Sequence, residues 1–264
     1  MSEEIKDILN ILKKAGNKIL EIYKRDYQIK EKKDKSLVTE ADLESEKIIL
    51  NGLKKYRYKI ISEEKDDKIN ILNDEKIWII DPLDGTQDFL NKTGEFSIMV
   101  GLIDKGEPVL GIVYLPEKDI TYFAEKGKGA YLKKGNNSPI KLKVSNVSDL
   151  KNSRFGVSRF HLDQKTKNII ENNLIKETKS MGSIGIKLGA IAENKVDVYL
   201  TFSDRICKWD TCAPEVILKE AGGTITDLKG EKLLYIGKEI RNLKGILATN
   251  GILHKKLKHI IQNT

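Results

Sequence analysis

Stretches with helical periodicity and short apolar stretches follow one another along the first half of the chain. Apolar residues recur at helical spacing over 4–25, and a second helix is predicted over 39–55. The run Trp78-Ile-Ile80 is short and wholly apolar, as in a buried strand. Three more strands, the first two joined by the turn sequence Asp104-Lys-Gly-Glu107, are predicted at 97–103, 109–115 and 120–124.

The second half alternates helices with strands. Helices are predicted at 163–173, 184–194, 211–221 and 252–262. Strands are predicted at 196–201, 223–226 and 245–248. Gly222-Gly223 end the third of these helices in the manner of a left-handed cap. The pattern indicates an α/β (α+β) fold with mixed sheets and helices on their faces. We divide it into lobes 1–145 and 146–264, which form one unit with the active site between them.

Composition excludes several classes of protein. Of the 264 residues 39% are hydrophobic and 33% charged, which excludes a disordered tail and a collagen-like repeat. The longest apolar runs, such as 109–115, are far shorter than the ~18 residues of a membrane span, and the N-terminus does not resemble a signal peptide. Cys207 and Cys212 form neither a disulfide framework nor a Cys-x-x-Cys motif. We therefore expect a reduced, cytoplasmic protein without a membrane partner.

The net charge of +8 comes from 47 Lys and Arg against 39 Asp and Glu. These residues are interleaved, as in Glu31-Lys-Lys-Asp-Lys35, and no single segment combines basic with aromatic residues as a nucleic-acid surface usually does. The distribution is typical of a solvated surface and disfavours nucleic acid as a partner. It is compatible with a weak attraction of small anionic substrates.

The segment Asp81-Pro-Leu-Asp-Gly-Thr86, which follows the apolar strand, has the clearest chemical signal. Two carboxylates three residues apart, with the carbonyl of Leu83 between them, offer hard oxygen ligands that suit Mg²⁺, and neither His nor Cys is nearby. Gly85 and Thr86 offer backbone N–H groups to a phosphate. By itself the segment is more typical of a solvated Asp-rich turn than of a metal site.

Three further acidic segments favour a metal site over a solvated turn. Ser62-Glu-Glu64 follows a predicted strand that ends at Ile61, and Trp209-Asp210 opens a helix. The third segment is Val38-Thr-Glu-Ala-Asp42. Its last residue has two candidate roles, because Thr39-x-x-Asp42 also resembles the capping box of the helix that follows.

In this order along the chain, Thr39-x-x-Asp42, Glu63-Glu64, Asp81–Thr86 and Trp209-Asp210 resemble the signatures of a known superfamily. It is the lithium-sensitive, magnesium-dependent phosphatase superfamily that includes the inositol monophosphatases. The resemblance covers nearly the whole chain, and it implies a layered α/β/α/β/α sandwich, two or three Mg²⁺ ions, and inhibition by Li⁺.

The resemblance also implies a role for each site residue. The metal ligands would be Glu63, Asp81, the carbonyl of Leu83, Asp84 and Asp210. Asp81 would bridge two ions, and Glu64 would lie just outside the ligands or bind a weaker third ion. Thr86, hydrogen-bonded to Asp42, would orient the attacking water and accept its proton, so that Asp42 would serve as the ultimate base.

Within the superfamily the sequence is similar to the 3′(2′),5′-bisphosphate nucleotidases, the branch that includes bacterial CysQ. The similar segments are Gly94–Ser97, Ser158–His161, Gly182-Ser183 with Lys187, and Trp209–Leu218. This similarity implies removal of the 3′-phosphate of adenosine 3′,5′-bisphosphate, a small phosphorylated nucleotide, to give AMP. Substrate contacts would come from Gly85, Thr86, Ser158, Arg159, His161, Ser183 and Lys187. Of these, Arg159, His161 and Lys187, with Ser158, would bind the 5′-phosphate.

Two other functions stay open at this point. An inositol-1-phosphatase or fructose-1,6-bisphosphatase would use the same metal ligands. The acidic sugar-binding residue of the inositol monophosphatases, seven residues before Asp210, is matched by Ser203, with Asp204 beside it. A catalytically silent RNA-binding protein with this fold is expected to lack a metal carboxylate or Thr86, and the sequence retains both. We expect a monomer or a homodimer.

Overall fold

Two larger β-sheets are stacked between layers of helices. The computed structural model describes residues 1–32, 36–65, 71 and 76–263. The first helical layer and the hairpin between its helices consist of α1 (Glu3–Tyr23), β1 (Ile29–Glu31), β2 (Leu37–Thr39) and α2 (Glu40–Leu53). Helix α1 begins after Ser2, whose hydroxyl accepts the N–H of Ile5 (3.4 Å). Its apolar stripe packs in one cluster with α2 and the adjacent sheet.

A seven-stranded sheet follows, with its strands side by side in chain order. The strands are β3 (Lys59–Ser62), β4 (Lys76–Asp84), β5 (Ser97–Asp104), β6 (Glu107–Leu115), β7 (Ile120–Glu125), β8 (Ala130–Lys134) and β9 (Ile140–Lys141). Only β3 and β4 pair in parallel. A short helix, α3 (Thr86–Leu90), follows β4. On β4, Trp78 and Ile80 pack against the first helical layer and Ile77 and Ile79 face the opposite side, so both faces of this strand are buried.

A five-stranded sheet is built from the second half of the chain. Its strands and helices are β10 (Arg154–Ser158), α4 (Gln164–Asn172), β11 (Glu177–Met181), α5 (Ile184–Ala192), β12 (Val198–Thr201), α6 (Lys208–Glu220), β13 (Thr224–Thr226), β14 (Ile246–Thr249) and α7 (His254–Gln262). The strands lie in the order β11-β10-β12-β14-β13, with β10 parallel and β14 antiparallel to both neighbours. Helices α4 and α7 cover the outer face, where Ile169 and Leu257 pack with Phe155 and Leu247.

Helices α5 and α6 fill the space between the two sheets. Glycines allow α6 to approach the seven-stranded sheet closely. A Cβ atom on Gly111 would lie 2.2 Å from the carbonyl oxygen of Ala213, and one on Gly101 would lie 2.5 Å from Cys212 Sγ. The same layer packs on Tyr199 of the five-stranded sheet. The layers therefore run helix, sheet, helix, sheet, helix, which confirms the predicted α/β/α/β/α sandwich.

The predicted helices and strands are all present, with ends that differ by a few residues. Helix α6 begins at Lys208 instead of 211, and β4 extends over Lys76–Asp84. The sequence pattern does not indicate β1, β2 and β8 to β11. The division into lobes 1–145 and 146–264 stays a prediction. No helix in the described ranges is long and apolar enough to span a bilayer.

Candidate active site

The end of strand β4 brings two carboxylates to one cavity. In a regular strand, residues three apart lie on opposite faces. Here the pairing of β4 with β5 shifts register between Asp81 and Asp84, and both residues line the same cavity. Pro82, which has no N–H to donate to a neighbouring strand, lies in this interruption, and its carbonyl accepts the hydroxyl of Ser45 (2.8 Å).

Asp210 forms a cluster with these two aspartates. One carboxylate oxygen from each of the three residues lies within 4.8 Å of the others. Asp210 is in the first turn of α6, where its Oδ2 accepts the N–H of Cys207 (2.7 Å) and so fixes the start of the helix. The local bond that begins α6 thus also orients the carboxylate toward the cluster.

The other two aspartates of the cluster are oriented by the protein as well. Oδ1 of Asp81 accepts the N–H of Leu83 (2.9 Å). Oδ2 of Asp84 accepts the hydroxyl of Ser183 and the N–H of Gly185 (3.1 Å), both at the N-terminus of α5. The predicted substrate contact Ser183 therefore binds a predicted metal ligand in this structure.

Repulsion between carboxylates dominates the electrostatics of the cluster. Burial raises the pKa of Asp81 and that of Asp210 well above the ordinary range, and the neighbouring carboxylates raise both pKa values further. Burial also raises the pKa of Asp84. A cation would relieve this repulsion, and carboxylate oxygens are the ligands that a hard divalent ion prefers. With no His or Cys in the cluster, the described residues fit Mg²⁺ better than zinc.

Glu63 and Glu64 lie in the turn that follows β3. The N–H of Glu63 donates to the carbonyl of Ile80 (3.3 Å), which attaches this turn to β4 next to Asp81. Both carboxylates bind the amine of Lys32, at 3.1 Å for Glu63 and 2.6 Å for Glu64. Lys32 is a residue of the site that the sequence does not reveal, because it lies in the interleaved charged segment that resembles a solvated surface.

Asp42 makes both of the contacts that its two candidate roles require. Its Oδ2 accepts the N–H (2.8 Å) and the hydroxyl (2.5 Å) of Thr39 and completes the capping box of α2. Its Oδ1 lies 3.5 Å from the hydroxyl of Thr86, which is also 3.5 Å from the carbonyl of Leu83. Burial raises the pKa of Asp42 to about 6, although the bonds from Thr39 oppose this shift. A carboxyl group with such a pKa is suited to proton transfer near neutral pH.

The cluster opens into a cavity of about 610 Å³. The predicted site residues that line this cavity are Glu63, Asp81, Leu83, Asp84, Gly85, Thr86, Ser158, His161, Ser183, Lys187 and Asp210. Asp42, Glu64 and Arg159 lie outside its lining. The lining also includes Phe160, Tyr199, Phe202 and Arg205, to which the sequence analysis assigns no role.

Arg159 is bound by acidic residues of the protein. Its guanidinium donates to Asp88 (2.5 Å), to Glu95 (2.8 Å) and to the carbonyl of Ser180 (3.3 Å). Glu95 also accepts the N–H of Gly182 (3.0 Å). These bonds connect α3, the segment before β5, and the start of α5. Asp88 lines the cavity, whereas Glu95 does not. The sequence-based assignment of Arg159 to a substrate phosphate therefore competes with two ion pairs.

Lys187 and His161 are basic side chains that line the cavity. Lys187 is buried and its amine donates to the carbonyl of Gly182. Burial lowers the pKa of Lys187 to about 8, and the negative charge of Asp84 opposes this shift. The pKa of His161 is lowered first by burial and then by the charges of Arg205 and Lys187. One cavity therefore combines a carboxylate cluster with basic side chains.

Residues 1–264 match the model of the Inositol monophosphatase family. The chain belongs to this family. It is 34% identical to the 3′(2′),5′-bisphosphate nucleotidase CysQ of Aggregatibacter actinomycetemcomitans over 241 residues. These cover 89% of this chain and 88% of that protein. The inositol-1-monophosphatase of Bacillus subtilis is 30% identical over 251 residues, 93% of this chain and 91% of its own.

Solved structures of family members have the same fold. The Thermotoga maritima IMPase superimposes with a TM-score of 0.83 and 27% identity, over 99% of this chain and 98% of that one. The family and the α/β/α/β/α fold that the sequence motifs imply are thereby confirmed.

Proposed function

We propose that this family member is a magnesium-dependent phosphatase that converts adenosine 3′,5′-bisphosphate to AMP and phosphate. The observation that supports this function is the single cavity in which clustered carboxylates and basic side chains lie together. Hard oxygen ligands suit a phosphoryl-transfer metal, and basic groups suit a second phosphate. The 34% identical relative is named a 3′(2′),5′-bisphosphate nucleotidase, and this name agrees with a substrate that carries two phosphates. A cytoplasmic location and a monomeric or homodimeric state belong to the same proposal.

In this proposal the metal ligands are Glu63, Asp81, the carbonyl of Leu83, Asp84 and Asp210, with Glu64 just outside them. When bound, Mg²⁺ supplies positive charge against the oxygens of the phosphate. Li⁺ would inhibit by taking the more weakly held position. The protein's contribution is to hold its carboxylates in fixed orientations through the bonds described above.

Thr86 and Asp42 move the proton of the attacking water. The Thr86 hydroxyl, in the first turn of α3, orients the water and accepts its proton while it passes its own proton to Oδ1 of Asp42, the ultimate base. Thr39 holds the other oxygen of Asp42 in place. The water oxygen bonds to phosphorus while the bond from phosphorus to the ribose 3′-oxygen breaks, and solvent protonates the released 3′-oxygen to give the hydroxyl. Gly85 and Thr86 would donate N–H groups to the phosphate.

Inositol phosphate is the second candidate substrate, because the Bacillus subtilis relative is named an inositol-1-monophosphatase. The acidic contact expected for that substrate is not at position 203, where Ser203 lines the cavity, and the neighbouring Asp204 is exposed and does not line it. Two aromatic residues, Phe160 and Phe202, do line the cavity, and aromatic rings can stack with a base. These features favour a nucleotide.

The proposal is tested by phosphate release with Mg²⁺ from adenosine 3′,5′-bisphosphate, inositol-1-phosphate and fructose-1,6-bisphosphate, each with and without Li⁺. We expect the highest kcat/KM for the nucleotide and a loss of activity when Li⁺ is added. If the protein prefers inositol-1-phosphate or fructose-1,6-bisphosphate, the proposed metal mechanism stands and the proposed nucleotide substrate is wrong. Absence of phosphate release from all three, with a Mg²⁺-independent shift of RNA in a gel assay, would favour the silent RNA-binding alternative.

A further inference from the structure

The second phosphate of a nucleoside bisphosphate needs a basic partner away from the acidic cluster, because the clustered aspartates repel it. Three basic side chains line the cavity: His161, Lys187 and Arg205. They differ in what already surrounds them. The identity of the side chain that binds this phosphate therefore depends on which of them is available to a ligand.

Arg159 is the least available of the basic residues in this region. It forms ion pairs with Asp88 at 2.5 Å and with Glu95 at 2.8 Å, and only 27% of its side chain is exposed. Binding a phosphate would require breaking these pairs and leaving Asp88, whose side chain is 6% exposed, without its cation. Arg159 is thus a structural residue that fixes the cavity wall.

Lys187 lies on the side of the acidic cluster. Its amine is buried, donates to the carbonyl of Gly182, and interacts electrostatically with Asp84 of the cluster. The pKa of His161 is lowered by burial and by the charges of Arg205 and Lys187, and the charge of Asp88 opposes this shift. Lys187 is therefore already bound within the protein and is less available to a ligand than the exposed Arg205.

Arg205 is held at the cavity rim by its backbone and leaves its side chain to solvent. Its N–H donates to the hydroxyl of Ser203 (3.2 Å), and its carbonyl accepts the thiol of Cys207 (3.5 Å). These bonds order the loop between β12 and α6. The residue is exposed and lines the cavity, and none of the ion pairs found within the described ranges involves its guanidinium.

We infer that the guanidinium of Arg205, together with the ring of His161, binds the second phosphate of a nucleoside bisphosphate, and that Arg159 does not. This inference rests on the proposed function. A guanidinium can donate two parallel hydrogen bonds to a phosphate, which makes Arg205 the residue that selects bisphosphates over monophosphates. The backbone N–H of His161 donates to the hydroxyl of Ser158 (3.3 Å), and this bond orders the turn on which the ring is carried.

The test compares adenosine 3′,5′-bisphosphate with adenosine 3′-monophosphate as substrates of the Mg²⁺-loaded wild type, Arg205→Ala and Arg205→Lys. A charge-assisted bond of the usual strength predicts that Arg205→Ala lowers the ratio of the two kcat/KM values about 10- to 100-fold. Arg205→Lys keeps the charge but loses the two parallel bonds, so we expect an intermediate ratio. The matched control is Arg241→Ala, an exposed arginine that does not line the cavity, which should keep the wild-type ratio.

Inhibition provides an independent readout. AMP retains the 5′-phosphate and lacks the 3′-phosphate, so Arg205→Ala should raise the inhibition constant of AMP while that of inorganic phosphate stays the same. If the wild type prefers the bisphosphate and Arg205→Ala keeps that preference, this inference is wrong and the proposed function stands. If the wild type hydrolyses inositol-1-phosphate and neither nucleotide, the proposed function fails, and the inference fails with it.

Discussion

At the scale of single residues, the aspartate cluster contains more negative charge than the protein itself compensates. Without metal, removal of one charge should stabilise the fold, because the pKa of Asp210 is already raised by burial and by Asp84 and Glu63. We predict that Asp210→Asn raises the metal-free Tm by roughly 2–4 °C, the shift that about 1 kcal/mol gives in a domain of this size. It should also abolish turnover and the increase in Tm that Mg²⁺ produces.

Thermal denaturation with and without Mg²⁺ measures both effects of Asp210→Asn. Asp204→Asn is the matched control, since Asp204 is exposed in the loop before α6 and does not line the cavity. If Asp210→Asn keeps both the Mg²⁺-induced rise in Tm and near-normal activity, the assignment of Asp210 as a metal ligand is wrong.

Asp42 offers a second test at this scale, because its two oxygens serve different partners. Asp42→Asn retains an oxygen that can accept the N–H of Thr39, so the capping box and the fold should survive. The amide cannot accept the proton that Thr86 passes on, and kcat should fall about 10²- to 10⁴-fold with little change in KM. Thr39→Ala is the comparison for the cap alone, at a cost of about 1 kcal/mol in unfolding free energy. If Asp42→Asn changes KM alone, Asp42 acts only as the cap of α2.

The site residues differ in how far the sequence can predict them. Asp42, Asp81 and Asp84 lie in local motifs whose spacing and turn residues are visible in one segment. The pairing of Arg159 is not visible, because its partners Asp88 and Glu95 are 71 and 64 residues away in sequence. The same limit applies to Lys32 and Arg205, whose positions at the site depend on how distant elements pack.

At the scale of elements, the N-terminus of α5 acts as a support for Asp84. We predict that Ser183→Ala raises the Mg²⁺ concentration at half-maximal activity about tenfold and leaves kcat at saturating Mg²⁺ nearly unchanged, because a carboxylate that loses a hydrogen-bond donor is less well oriented. Ser183→Thr keeps the hydroxyl and should restore the wild-type value. A rise only in substrate KM at saturating Mg²⁺ would instead support the substrate contact that the sequence predicts.

A second element-scale prediction concerns the junction of β13, β14 and α7. The His254 ring lies between the hydroxyls of Thr226 (3.0 Å) and Thr249 (3.1 Å), and burial, followed by the charge of Lys258, lowers its pKa from 6.5 to about 4. Between these two pH values the unfolded chain binds a proton that the folded protein does not. The unfolding free energy should therefore fall as the pH decreases from 6.5 toward 4.

Urea denaturation at pH 7 and pH 5 measures this contribution. We expect His254→Gln to lose less stability than the wild type between the two pH values, since the titrating group is gone. His259→Gln, on the exposed side of the same helix, should behave like the wild type. Equal pH dependence in all three proteins would exclude His254 as the source.

The strands also differ in how well they can be predicted from the sequence. Strand β4 is buried on both faces, and its apolar run is visible without any partner. Strand β11 is an edge strand whose residues are almost all exposed, so neither an apolar run nor an alternation marks it. The register shift in β4 is equally invisible, although the Pro in Asp81-Pro-Leu-Asp84 is typical of such an interruption.

At the scale of the whole molecule, the two halves of the chain meet through α6. This helix comes from the second half, packs on β5 and β6 of the first, and carries Asp210 in its first turn. The aspartate cluster is therefore assembled only when the layers stack. Residues 1–145 supply Asp81 and Asp84, and we expect that they cannot complete the site alone.

The close approach of α6 to the seven-stranded sheet yields the last prediction. At Gly111 a Cβ would lie 2.2 Å from the backbone carbonyl oxygen of Ala213, and backbone cannot move aside as a flexible side chain can. Gly111→Ala should lower the unfolding free energy by about 1–3 kcal/mol or more and, by displacing α6, weaken the Mg²⁺ dependence of activity. Gly156→Ala is the control, since its Cβ would meet no atom closer than 3.5 Å. Urea denaturation of the two variants compares them directly. If Gly111→Ala and Gly156→Ala have similar unfolding free energies, α6 can shift without cost. The position of Asp210 would then not depend on the stacking of the layers.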